Sequence, residues 1–393
     1  MKFLNKQFTQ ETLKLALPVM LTQVGQVSVN LFDNIIVGKL LGAKALAAVS
    51  LGNAMFFSIF IFGLGFSLAI PPLVSEAHSQ HDHNRINSIF RHGFVVNIIL
   101  AFVLMLLIFG IIPLMPYLNQ PKEILPDTIT FLSIVTLSII PFMIFQTMRE
   151  VSEGLSFTIG VTKATIFANV INVILNYVFI EHFKMGVAGS AWATFIARVA
   201  MMVFLYYVLI KEEKTRRYIK DFSLKIKDFS KEMFEKLIRL GFPTALQLFF
   251  EVTAFAGAAF ICGLISAKDI AAHQIALSMA SFTFNLCVGF SVASTVMIGR
   301  KLGEKDFVNL EKVGFNNLKI AFIFMLMCGL VFILGKDVLP TFFTKKEDIA
   351  VVELASQLMI IAALFQLSDG IQVTALGCLR GIQDVKIPSI LTF

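Results

Sequence analysis

Hydrophobic positions in this chain run on in long stretches, and polar positions gather in short segments between them. Residues 94–115 hold one polar side chain, Asn97. Stretches of about 20 apolar residues recur from end to end, the length that crosses a bilayer core as helix. The short alternating segments of a membrane β-barrel are not what this pattern shows. It predicts ten spans, near residues 13–38, 46–76, 88–115, 125–150, 161–181, 187–210, 237–265, 270–299, 313–335 and 349–379. A helix in lipid satisfies its own backbone hydrogen bonds, so the reading is an all-α integral membrane protein.

Composition agrees. Of 393 residues 57% are hydrophobic and 15% are charged, against about 25% charged in soluble domains. Net charge is +7. The bases lie in loops, which makes topology their explanation and argues against a nucleic-acid partner. With the N-terminus in the cytoplasm, 23 of the 33 Lys and Arg fall in inside segments and 8 in outside loops. That bias predicts a multi-pass protein of the cell (inner) membrane with a cytoplasmic N-terminus. The opening MKFLNKQFTQETLK leads straight into the first span and has no cleavable-signal pattern.

The chain repeats itself. GFSLA at 65–69 recurs as GFSVA at 289–293, and AKALAA at 43–48 recurs as AKDIAA at 267–272. Pro116 and Lys122-Glu123 recur as Pro340 and Lys346-Glu347, all at an offset of 224, while Pro18 and Pro243 match after one extra residue. This divides the chain into an N-terminal lobe, 1–210, a basic cytoplasmic linker, 211–236, and a C-terminal lobe, 237–393. Even helix numbers give the lobes one orientation, related by an axis along the membrane normal. The first lobe has six spans and the second four, with VKIPSILTF resembling the start of an eleventh helix. Repeat logic therefore predicts two six-helix lobes, the second cut short after about ten helices. The charge run 211–239 reads as a solvated linker lying partly on anionic lipid.

Three acids stand inside spans: Asp33, Glu251 and Asp369. An intramembrane carboxylate is expensive, and its default reading is an ion or substrate path. Asn172 and Asn176, four apart, share a helix face and offer amide oxygens, which suit a small cation. Interhelical hydrogen bonding is the competing reading for them. Pro18 removes a backbone hydrogen bond four turns before Asp33 and is a candidate for helix bending. Arg198 is a lone base within a span. The histidines His78, His81, His83 and His92 form a metal-like HxxHxH region in a polar loop, where ligand type alone is weak support, so no metal is expected. Cys262, Cys287, Cys328 and Cys378 lie in apolar segments without CxxC spacing and read as packing residues. Some of the 41 Phe are candidates to hold aromatic cations in a cavity. No phosphate-binding loop, nucleophile elbow or HExxH is present, which argues against an enzyme or an ATP-driven pump.

Taken together, LPVMLTQVGQVSVNLFDNIIVGKLLGA, EGLSFTIGVTK, NVINVILNYVFI, GVAGSAWAT, FPTALQLFFEVTAF and QLSDGIQVTALGCLRGIQD resemble the multidrug and toxic compound extrusion (MATE) transporters, in the NorM-type branch. The resemblance covers essentially the whole chain. It implies twelve helices in two lobes and export of organic, often cationic, xenobiotics by alternating access. Inward Na⁺ or H⁺ would drive that export, with no cofactor and a monomeric protein in the bilayer. It implies an N-lobe cation site at Asp33, Asn172, Asn176 and Thr194, and C-lobe acids at Glu251 and Asp369. Some members carry Asp where this chain has Asn176, so one charge is absent here. The alternative within transport is a lipid-linked saccharide flippase, which calls for a strongly basic cavity.

Overall fold

The computed structural model describes residues 4–117, 122–225, 228–343 and 349–392. Among these every regular element is helical: α1 (Lys6–Leu41), α2 (Ala43–Ser67), α3 (Ile70–Ser79), α4 (His83–Ile111), α5 (Leu125–Leu137), α6 (Ile139–Gly154), α7 (Ile159–Tyr177), α8 (Gly186–Lys211), α9 (Glu213–Lys220), α10 (Lys231–Ile265), α11 (Ala267–Gly303), α12 (Phe307–Gly335), α13 (Ile349–Gly381) and α14 (Lys386–Thr392). Eight helical segments are long and apolar enough to span a bilayer, and the pair α5–α6, bent by 43°, makes a ninth. These nine match the expected spans. The other expected span, 237–265, lies within α10, which is helical throughout.

The first span of the repeat is continuous through Pro18 in α1, as its counterpart α10 is through Pro243. The second differs between halves. Pro71 and Pro72 open α3, and the chain turns at Leu68-Ala69. Thr295 and Val296 occupy the corresponding positions of α11, which runs unbroken. Proline is tolerated in a first helical turn but removes donors from an interior. The duplication also shows in the loops. His81 and Lys305 both adopt left-handed backbones, with φ of 56° and 57°. Asp82 and Asp306, which follow them, cap α4 and α12 by accepting from Arg85 N and Asn309 N. Each of these pairs is 224 residues apart.

The chain separates into two compact units, Gly25–Phe249 and Met1–Val24 with Phe250–Phe393. Both α1 and α10 therefore contribute to each. In the first unit Phe56, Phe60, Leu104, Phe131 and Met143 pack a core drawn from α2, α4, α5 and α6. In the second, Ala16, Met20, Phe290, Ile320, Met325 and Val373 bring α1, α11, α12 and α13 together. Small residues set the closest approaches, as is usual where helices meet in lipid. A Cβ at Gly65 would lie 2.6 Å from the Cα of Ala245. One at Gly289 would lie 2.7 Å from Met20 and 2.8 Å from the Ala16 carbonyl oxygen. Gly65 and Gly289 are repeat equivalents, as are Met20 and Ala245, so the two contacts are one contact made twice.

The segment joining α8 to α10 departs from the solvated linker expected of it. Thr215 and Tyr218 are buried. Phe222 packs at a tilt on Phe90 and edge-to-face on Phe94, at ring separations of 4.9 and 5.2 Å. Its charge run conceals a spaced set of aromatic residues, and these dock on α4.

Candidate functional site

Asp33 lies on the part of α1 that belongs to the unit Gly25–Phe249, and it is 6% exposed. Asn176 on α7 donates from Nδ2 to its Oδ1 at 2.7 Å. The same amide nitrogen lies 3.3 Å from Asn172 Oδ1 and 3.2 Å from the Asn172 carbonyl oxygen. The four-residue spacing thus places both amides on the helix face that meets α1. One turn earlier, Asn169 donates to the Gly25 carbonyl at 2.8 Å, tying α7 to α1 a second time. Thr194 on α8 approaches Asp33 without satisfying hydrogen-bond geometry, and its buried hydroxyl has no other partner. Asn172 Nδ2 and Asn176 Oδ1 are likewise buried without partners. Unsatisfied buried polar atoms are costly, and here three of them surround one carboxylate. Asp33, Asn172, Asn176 and Thr194 are therefore brought to one place.

The site opens on a cavity of about 440 Å³. Asp33, Asn172 and Thr194 line it, with Asn30, Asn53, Phe56 and Phe142. Arg198 lines it too, and here the sequence understated the residue. Its guanidinium lies 4.7 Å from the Phe56 ring centre and 5.0 Å from that of Phe142, and donates to Ser138 Oγ at 2.6 Å. Arg198 and Asp33 attract one another electrostatically, yet among the described residues they form no direct ion pair. The cavity therefore presents one cation and one anion held apart. The signal in the sequence was a lone base in a span, but its aromatic partners came from α2 and α6.

In the other unit Glu251 on α10 interacts electrostatically with Asp369 on α13. Glu251 also interacts with Arg380, at the last turn of α13. The two acids are thus neighbours, and Arg380 is a basic companion that sequence reasoning did not single out. The four histidines of the HxxHxH region go different ways. His78 is on α3 and His81 in the turn that follows. His83 Nδ1 meets Tyr218 Oη at 2.8 Å, and His92 is buried on α4.

The MatE family model matches residues 18–178 and again 243–393, one copy for each half of the repeat. This chain belongs to the MatE family. Multidrug resistance protein NorM of Photobacterium profundum is 30% identical over 390 residues, covering 98% of this chain and 84% of that protein. A probable multidrug resistance protein NorM of Agrobacterium fabrum is 33% identical over 387 residues, covering 97% and 83%. The fold is that of the eukaryotic MATE transporter AtDTX14, with a TM-score of 0.88 at 15% identity over 98% of this chain and 85% of that one. MatE membership makes the chain a multi-span membrane transporter and not an enzyme.

Proposed function

We propose that this MatE protein exports organic, often cationic, xenobiotics across the cell (inner) membrane, driven by inward Na⁺ or H⁺. The observation that carries the reading is the carboxylate of Asp33, ringed by unpartnered amide and hydroxyl groups and facing an aromatic-lined cavity. The relatives' names, as multidrug resistance proteins, support drugs as the cargo class.

The Asn176 amide donates to Asp33. Turning that amide over presents its oxygen instead, so Asp33, Asn176, Asn172 and Thr194 together supply oxygen ligands of the kind a small hard cation takes. For a proton, Asp33 itself is the carrier. Either ion drives transport only by binding one conformation more tightly than the other. Glu251 and Asp369 form a second acidic pair suited to the same task, and Pro18 is the bending point of α1. The protein acts as a monomer with its N-terminus in the cytoplasm, as the distribution of Lys and Arg indicates. A pyrophosphate-bearing lipid fits poorly, since the single Arg198 of the cavity is offset by Asp33.

The test is efflux of a fluorescent organic cation from proteoliposomes holding the full-length protein, under a Na⁺ gradient or a proton gradient alone. Efflux under one gradient, lost in Asp33→Asn and Glu251→Gln, establishes coupled export and names the ion. Failure under both gradients overturns the reading. An N-terminal tag labelled from outside intact cells overturns the orientation.

A further inference from the structure

The segment before α10 is fastened to α4 at successive points. Tyr218 meets His83, Phe222 packs on Phe90 and Phe94, and Asp228 pairs with Arg91 at 3.1 Å. The last point is His92, which is 0% exposed. Its Nε2 accepts the backbone N–H of Ser230 at 2.9 Å. Its Nδ1 lies 2.7 Å from the Ser88 carbonyl oxygen. A carbonyl only accepts, so Nδ1 carries the proton and Nε2 is the bare nitrogen. The rings of Phe229 and Phe234 close over the imidazole at 5.1 and 4.6 Å.

The repeat supplies the same clasp a second time. Asn5 donates its backbone N–H to Asn316 Oδ1 at 2.9 Å. Asn316 is 224 residues after His92, and Ser230 is 225 after Asn5. Each donor residue also caps its helix with its side chain: Asn5 Oδ1 accepts from Phe8 N, and Ser230 Oγ accepts from Met233 N. So the capping residue of each half's first helix hands its own N–H to a side chain on the third span of the other half. A charge pair flanks both clasps with its signs exchanged. Arg300 meets Glu11 at 2.8 Å, and their equivalents Glu76 and Lys236 attract one another. The clasps differ in one chemical respect: the acceptor is an amide oxygen at Asn316 and an imidazole nitrogen at His92.

We propose that His92 is a pH-operated clasp that releases residues 228–236 from α4 when the cytoplasmic face is acidified. Histidine changes charge within the physiological range. A proton on Nε2 removes the lone pair that receives the Ser230 N–H and sets two donors face to face. It also places a cation in an enclosed aromatic pocket, where an uncompensated charge is disfavoured. Contact with two phenyl rings offsets only part of that. Among the described residues no carboxylate touches the ring. The charged groups on the elements around it are Arg85 and Arg91 on α4, Glu76 on α3, Arg149, Glu150 and Glu153 on α6, and Asp228, Lys231, Glu232, Glu235 and Lys236 on the docked segment and the first turns of α10. Arg149 is bonded to Glu153, and Arg91 to Asp228. Because α10 also carries Glu251, loosening its first turns slows export at acidic internal pH. The release itself depends on neither the cargo nor the coupling ion.

Hydrogen–deuterium exchange on the purified protein at about pH 7.5 and about pH 5.5, corrected for intrinsic rates, tests this. Protection of residues 228–236 is expected to fall at least about fivefold at the lower pH, while residues 5–12 keep theirs. His92→Asn, which copies the other half, is expected to hold at both pH values. Asn316→His is expected to make the α1 clasp acid-sensitive in turn. Unchanged protection in the wild type, the same loss in His92→Asn, or both clasps loosening together overturns the proposal. Should His92→Asn not fold, the wild-type comparison of the two clasps and Asn316→His decide it.

Discussion

Asn176 reaches from α7 to donate to Asp33 of α1 at 2.7 Å, joining residues 143 apart in sequence. Few positions in the span offer a carboxylate any donor, so this contact fixes where the carboxylate of α1 is held.

Removing the charge removes the site. Asp33→Asn is expected to cut coupled efflux at least about tenfold, with the thermal unfolding midpoint in detergent close to wild type. Undiminished efflux by a well-expressed variant excludes Asp33 as the coupling residue.

Asn176 tests how the site is built. Asn176→Leu deletes the donor and the unpartnered oxygen together, and efflux is expected to fall. Asn176→Asp adds a second carboxylate beside Asp33. It is expected to tighten binding of the coupling cation about tenfold, equal to about 1.4 kcal/mol. Calorimetric titration of the purified variants reads both outcomes.

Arg198 makes the cavity unfriendly to a bare cation. Arg198→Gln is expected to tighten binding of a monocationic aromatic severalfold and to weaken binding of the same scaffold bearing a carboxylate. Fluorescence titration with the two ligands checks it. Equal shifts for both ligands mean that the residue acts through packing on Phe56 and Phe142 alone.

Two repeat-equivalent glycines sit at close helix contacts. Gly65→Ala drives a methyl into the Ala245 backbone, and Gly289→Ala drives one into Met20 and the Ala16 carbonyl. Each is expected to destabilise by about 1–3 kcal/mol, the usual cost of overpacking. Gly110→Ala, with nothing within 4 Å, is the control and is expected to leave the unfolding midpoint unchanged.

The sequence alone determined the all-helical membrane class, nine of the spans, the duplication at 224 and the family. All of these are written in local pattern: run length sets a span, and repeated strings betray a repeat. It also named Asp33, Asn172, Asn176 and Thr194 through the family resemblance, and the structure brings them together, with Asp33, Asn172 and Thr194 lining one cavity. Tertiary structure decided what pattern does not encode. Arg198 gains its meaning from Phe56 and Phe142, which lie on other helices. Arg380 becomes Glu251's companion only when α13 packs beside α10. The linker read as solvated because its charges outnumber its aromatic residues, yet four of those aromatics find α4. His92 looked like one of four loop histidines until folding buried it against Ser230. In each case the deciding partner is distant in the chain, and the energy of a buried polar group depends on which partner packing supplies.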